Sequence, residues 1–285
     1  MSALLDGIEI VEFGEGPGPP ILLLHEGLGS VALWRDFPKA LAAATGLRVI
    51  AWSRRGYGQS TGGDDIYAPN FMHREADAAA ALLPAIGIER AHLFGHSDGA
   101  SIALLLAANH PGLAASLMLE APHVFVEAMC VERIAAFGYA VKNDDTIMRM
   151  GRYHRDPARV FRRWHDIWVN PRFGEWTIEH DIAGIAVPTL LIQGEDDEYG
   201  TFEQLDRIAA VIPEARRLHL SACGHSPHRD QLAMVLSNVA GFLGSSPSLI
   251  TNAFCESVNF DALASPASGH ATPPYPAKEI RGRRP

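Results

Sequence analysis

Ala91-His92-Leu93-Phe94-Gly95-His96-Ser97-Asp98-Gly99, running into ASIALLLAA (100–108), is the stretch on which the fold turns. AHLFG is a short, continuous apolar run of the kind that forms a strand buried on both faces of a sheet. ASIALLLAA reads as the helix that follows. Between them stands Gly-x-Ser-x-Gly, a turn too tight for a side chain at either flank, hence glycine at 95 and 99. Such a turn holds its serine in a strained backbone conformation above the sheet. The N-terminus of the next helix lies beneath that serine and favours negative charge. The five-residue spelling is common; the strand before it and the helix after it make Ser97 a candidate nucleophile.

The same rhythm extends in both directions. Upstream, ALL and IEIVEF flank Asp6-Gly7, a tight-turn pair between apolar runs, and predict a hairpin. ILLLH (21–25), LRVIAW (47–52), AHLFG (91–95), SLMLEA (116–121), PTLLIQG (188–194) and RRLHLS (216–221) read as strands. Helices are expected over 36–45, 71–86, 99–109, 201–211 and 229–243. Strands alternating with helices predict an α/β fold with a mostly parallel sheet and helices on both faces. Residues 123–185 break the pattern: they hold Trp164, Trp168, Trp176 and many arginines, with no clear strand. They read as a helical insertion over the carboxyl ends of the strands, where ligands bind in open α/β sheets. Residues 1–122 and 186–244 then form the core. Residues 245–285, rich in Pro, Ser and Ala, read as a flexible tail, because they cannot bury enough apolar area to offset their ordering entropy.

Composition narrows the function classes. The 285 residues are 47 % hydrophobic and 20 % charged, which suits one large domain with a modest insertion. A formal net charge of −9 argues against nucleic acid as a partner. No apolar run is long enough to span a membrane and the N-terminus does not read as a signal peptide. Cys130, Cys223 and Cys255 do not make a disulfide framework. A reduced, cytoplasmic protein is expected.

A serine hydroxyl needs a base. Cys223-Gly224-His225-Ser226-Pro227-His228 follows the last strand, and His225 is the better placed of its two histidines, with His228 the rival. A metal reading of that pair lacks a third ligand at suitable spacing, and His219 lies within the strand itself. A carboxylate must orient the base. Glu195-Asp196-Asp197-Glu198 follows the strand PTLLIQG; Asp197 is the choice and Asp196 the second. Two backbone N–H groups should face the charge that develops on the substrate. One is that of Asp98. The other belongs to the loop His25-Glu26-Gly27-Leu28-Gly29-Ser30, with Gly27 assigned and Leu28 as the alternative.

Together, the 25–30 loop, Ser53-Arg54-Arg55-Gly56-Tyr57-Gly58-Gln59-Ser60, the 95–99 turn, the 194–197 acid loop and Gly224-His225 resemble the α/β-hydrolase fold superfamily over roughly residues 8–243. The resemblance implies a mostly parallel eight-stranded sheet with helices on both faces and a helical cap insertion. It implies the chain order Ser97, Asp197, His225. It also implies an oxyanion donor at Gly27. Glu26 stands where the family usually has glycine, which brings a carboxylate close to the site. Ser53 stands where aspartate is frequent. Relatives with aspartate nucleophiles, the haloalkane dehalogenases and epoxide hydrolases, form an alkyl ester on that carboxylate, and serine at 97 argues against both chemistries.

The expected activity is hydrolysis of a carboxylic ester or lactone through an acyl-enzyme, without a cofactor or metal. The partner is a small-molecule substrate, and the chain is expected to act as a monomer or homodimer. Carbon–carbon bond hydrolysis of a diketone-like substrate is the second reading, and a non-catalytic ligand-binding relative the third. Glu26, Leu28, Glu120, His123, Trp164 and Trp168 are candidate substrate contacts. His96 is expected to pack or bond locally, and His73-Arg74-Glu75 to form a surface or capping cluster.

Overall fold

The computed structural model describes residues 3–141 and 145–244. The expected tail 245–285, with Cys255, lies outside the described residues. The strands are β1 (Ala3–Leu5), β2 (Ile8–Phe13), β3 (Ile21–Leu24), β4 (Val49–Trp52), β5 (Ala91–His96), β6 (Ala114–Glu120), β7 (Thr189–Gly194) and β8 (Arg216–Leu220). They form one eight-stranded sheet in the order β1-β2-β4-β3-β5-β6-β7-β8. From β4 to β8 every pairing is parallel, while β1 and β2 pair antiparallel with each other and β2 with β4. Asp6 and Gly7 close the β1–β2 hairpin with φ of 48° and 77°, the left-handed pair that a two-residue turn requires.

The apolar runs explain why the sheet is covered twice. Successive side chains on a strand point to opposite faces. Leu22, Leu24, Ile50, Trp52, Leu93, Leu117, Leu119 and Leu191 join one core, and Ile21, Leu23, Val49, Ala51, Phe94, Met118, Leu190 and Ile192 join another. The first is closed by α2 (Phe71–Ala85), α3 (Asp98–Asn109) and α7 (Glu203–Val211); the second by α1 (Phe37–Thr45) and α9 (Leu232–Phe242). The last expected helix, 229–243, is in fact two. α8 (Pro227–Asp230) starts on a proline and ends at Gln231, whose φ and ψ of −134° and 45° break the helix before α9. Asp230 turns back to accept the backbone N–H of Gly224 at 2.9 Å, so the break serves the loop that carries His225.

Between β6 and β7 the chain is helical: α4 (Ala128–Val141), α5 (Thr146–Met150), α6 (Pro157–Trp168) and a short 3-10 turn at Pro171–Phe173. Asp156 caps α6, accepting from Arg159 N at 3.0 Å, with Pro157 at the first helical position. Val160, Trp164, Ile167 and Trp168, spaced at helical period, are its buried face. Arg163 on the same helix donates to the backbone carbonyls of Asp64 (3.0 Å) and Arg55 (2.6 Å). Its guanidinium also lies over the rings of Tyr57 (4.2 Å) and Tyr67 (4.7 Å). α6 is thereby latched to the loop after β4. Among the described residues no helix is long and apolar enough to cross a membrane.

Candidate active site

Ser97 caps α3 with φ 54° and ψ −121°, the left-handed conformation expected of the turn. The two glycines are sterically required. A Cβ at Gly99 would strike the carbonyl oxygen of Leu24, and one at Gly95 would lie 2.5 Å from Ala100 Cα. The Ser97 N–H is held by the carbonyl of Glu120 at 2.9 Å, which ties the turn to the neighbouring strand β6.

The structure brings Ser97, His225 and Asp197 together from three separate loops. His225 Nε2 lies 3.0 Å from Ser97 Oγ, and His225 Nδ1 lies 2.8 Å from Asp197 Oδ1. Asp197 also accepts from the backbone N–H of Tyr199 (2.9 Å) and from Gln193 Nε2 (3.2 Å). Gln193 closes β7 and donates as well to the carbonyls of Gly200 and Thr201. A polar residue ending the apolar run TLLIQG was the sequence signal for this support. Burial alone would raise the Asp197 pKa, but the His225 charge and the hydrogen bonds outweigh it and hold the carboxylate below its ordinary range. Burial would likewise lower His225; Asp197 overrides it and raises the imidazole above its ordinary value.

The loop after β3 is held from beneath. Arg54 N–H donates to His25 Nε2 (3.1 Å), so His25 carries its proton on Nδ1 and donates to the carbonyl of Glu26 (2.8 Å). Arg54 Nη2 donates to that same carbonyl at 2.8 Å, and His154 Nε2 donates to the carbonyl of Leu28 at 2.9 Å. Among the described residues, neither the Gly27 nor the Asp98 backbone N–H has a protein acceptor. Both residues line the same cleft as Ser97 and His225. Gly27 has to be glycine, because a Cβ there would run into the indole of Trp164.

The cleft is completed by Glu26, His123, Trp164 and Trp168, all four named from the sequence, and by Cys130, Ile134 and Tyr199, which were not. Trp164 and Trp168 stand one turn apart on α6. Leu28 and Glu120 are elsewhere. Leu28 is packed in the core, 1 % exposed. Glu120 is fully buried and accepts from His228 Nδ1 at 2.7 Å. Period-two alternation is the reason: Glu120 has the parity of Met118, which faces the α1–α9 core rather than the cleft. His228 is thus engaged away from Ser97. His219 stacks on Phe202 with ring centroids 4.0 Å apart. His73 faces Asp181, and Arg74 pairs with Asp64 at 2.7 Å. Asp196 directs its backbone N–H to the Cys223 carbonyl. His96 has a partner that the sequence did not disclose: its Nε2 donates to the backbone carbonyl of His225 at 2.7 Å. Among the described residues no group of three or more His, Cys, Asp or Glu is arranged to hold a metal ion.

Comparison with known proteins agrees with this architecture. A family model for the alpha/beta hydrolase fold matches residues 19–175. The 2-hydroxymuconate semialdehyde hydrolase of Pseudomonas sp. (strain CF600) is 26 % identical over 268 residues, covering 84 % of this chain and 92 % of that protein. Epoxide hydrolase A of Mycobacterium tuberculosis is 28 % identical over 305 residues, covering 83 % and 94 %. A solved structure from a study of carboxylesterases of the thaumarchaeon Nitrososphaera gargenis superposes with a TM-score of 0.67 at 18 % identity, over 89 % of this chain and 99 % of that one, a likeness of fold.

Proposed function

The chain belongs to the α/β-hydrolase fold family, and we propose that it is a serine hydrolase that cleaves a carboxylic ester or lactone through an acyl-enzyme. One observation carries the reading: the hydrogen-bonded line from Asp197 through His225 to Ser97 ends in a cleft beside two backbone N–H groups that have no acceptor among the described residues. Ser97 Oγ attacks the carbonyl carbon and its proton passes to His225 Nε2. Asp197 stabilises the imidazolium that results. The oxyanion accepts from the N–H groups of Gly27 and Asp98, aided by the N-terminus of α3. The ester C–O bond then breaks, and the departing oxygen takes the proton from His225. Water next gives a proton to His225 as its oxygen attacks the acyl carbon. When that second tetrahedral species collapses, Ser97 recovers the proton and the acid is released.

Carbon–carbon bond hydrolysis is the second reading, since 2-hydroxymuconate semialdehyde hydrolase is among the relatives. A muconate carries a carboxylate, and a cleft for it would present a cation. Among the described residues, the lining includes Glu26 and Asp98 but no Arg or Lys, which favours the ester. Ser97 also weighs against the chemistry of the epoxide hydrolase relative, which the sequence reading tied to an aspartate nucleophile.

The test is a panel of acyl esters, lactones and ring-cleavage diketones, with fluorophosphonate labelling and Ser97→Ala as control. Turnover of esters or lactones that disappears in the variant is expected. Turnover of diketones alone, or full ester turnover in Ser97→Ala, would overturn the proposal.

A further inference from the structure

Asp98 presents two faces to the cleft. Its backbone N–H is one of the unpartnered donors beside Ser97. Its carboxyl is buried, 1 % exposed, and only half used. Oδ1 accepts from Trp168 Nε1 at 3.2 Å, whereas Oδ2 has no hydrogen-bond partner among the described residues. A buried carboxylate oxygen left unpaired is costly, and its position in the lining of the cleft points to a partner supplied by ligand.

The charges around the cleft identify that partner. A second carboxylate, Glu26, lines the same space, its side chain 16 % exposed. Among the described residues, no Arg or Lys lines it. The cation that compensates Asp98 from behind, Arg54, spends its guanidinium on the Glu26 carbonyl and is not part of the lining. A hydroxyl or amide donor would satisfy Oδ2 but leave the charge of the two carboxylates unmatched by any Arg or Lys among the described lining residues. An ammonium group satisfies the oxygen and the charge together.

We propose that Asp98 and Glu26 form an ammonium-recognising subsite on the acyl side of Ser97, so that the preferred substrate carries a protonated amino group a few bonds from the carbonyl under attack. The inference rests on the serine-hydrolase reading above and narrows its substrate class. One residue supplies both the oxyanion N–H and the carboxyl, so the ammonium lies within a few bonds of the carbonyl under attack; its acyl-side placement is what a matched pair of esters tests.

Protonation of Asp98 gives a further handle. Burial pushes its pKa up to about 6; Arg54 and the Trp168 N–H act the other way, and Glu26 adds to the rise. His225 also faces it, pulling its pKa down, and Cys130 lies across the cleft. A bound ammonium lowers the Asp98 pKa, so KM for an ammonium substrate rises as pH falls through 6.

The experiment compares benzyl esters of alanine and of isobutyric acid, in which a methyl group replaces the ammonium at nearly constant shape. Full-length wild type, Asp98→Asn and Glu26→Gln are assayed from pH 5 to 7. In the wild type, kcat/KM for the alanine ester should exceed that for the isobutyrate by about tenfold or more, the scale of a charge-assisted hydrogen bond. The ratio should fall toward one in both variants, and KM should rise below pH 6 for the alanine ester alone. A wild-type ratio near one, or a ratio that survives Asp98→Asn, would overturn the subsite. Should Asp98→Asn not fold, the wild-type ratio and Glu26→Gln decide the matter by the same criteria. Turnover of neither ester, with Ser97 still labelled by a fluorophosphonate, overturns the subsite alone. Loss of labelling overturns the hydrolase reading, and the subsite falls with it.

Discussion

His96 donates its Nε2–H to the backbone carbonyl of His225 across 2.7 Å, so the residue immediately before the proposed nucleophile holds the loop that carries the proposed base. Burial, followed by the His228 and His225 charges, holds the His96 pKa well below its ordinary value, so the ring stays neutral and this bond persists through the working pH range. The Ser97–His225 separation is therefore set from both ends of the pair.

His96→Phe removes that donor and leaves a partly buried carbonyl without it, a loss of about 1–3 kcal/mol in holding the loop. Turnover should fall roughly tenfold to a hundredfold with KM little changed. His96→Gln, which can still donate, should recover much of it. Steady-state kinetics on one ester separate the two parameters; unchanged kcat in His96→Phe would contradict the assignment.

Ser97→Ala should lower turnover by about 10⁶-fold, the scale on which a nucleophile and its base act as one unit. Near-UV circular dichroism should match the wild type, because among the described residues the hydroxyl hydrogen-bonds only His225.

The acid limb of kcat/KM reports protonation of His225. Asp197 raises that pKa, so activity should fall away at a pH above the ordinary histidine value. Asp197→Asn should move the limb to lower pH and reduce the plateau by about 10⁴-fold, as the imidazole loses its orienting carboxylate. A pH–rate profile of both proteins checks direction and depth.

Trp164→Ala should open the cleft above Gly27 and shift the preferred acyl chain to a longer one. The side chain is buried at 5 % exposure, and its loss should cost about 3–5 kcal/mol of stability. A series of nitrophenyl esters of increasing length, with thermal denaturation alongside, reads both effects.

Gly99→Ala forces a Cβ into the carbonyl of Leu24, a backbone atom that cannot turn aside. Overpacking of this kind costs about 1–3 kcal/mol or more. At roughly 2–4 °C per kcal/mol for a domain of this size, Tm should fall by several degrees. An unchanged Tm would show that the turn can open.

The parts of the molecule that were legible in its sequence are those set by local chemistry. Asp6-Gly7 specifies its hairpin through two left-handed residues, and Gly95 and Gly99 specify theirs through clashes with neighbouring backbone. Runs such as ILLL declare a strand buried on both sides. The position of Glu120 depends instead on strand parity: one residue of register separates the cleft from the opposite core, where Glu120 meets His228 of α8. Cys130 and Ile134 stand one turn apart on α4, while Tyr199 follows β7 far along the chain, and nothing local marks the two places as neighbours. The break at Gln231 was hidden because that one residue is all that separates α8 from α9 in the sequence.

The latch on α6 carries a consequence for how this protein tolerates change. Arg163 grips the main-chain oxygens of Arg55 and Asp64, not their side chains. Exchanging either of those residues leaves the oxygens where they are, so amino-acid identity at 55 and 64 can drift freely as far as this grip is concerned. Adding or deleting a residue between them cannot be absorbed in the same way, since it displaces the oxygens and with them the helix that sets Trp164 and Trp168 over the reacting centre. The length between positions 55 and 64, rather than the identity of those two residues, is what this grip on the main chain must conserve.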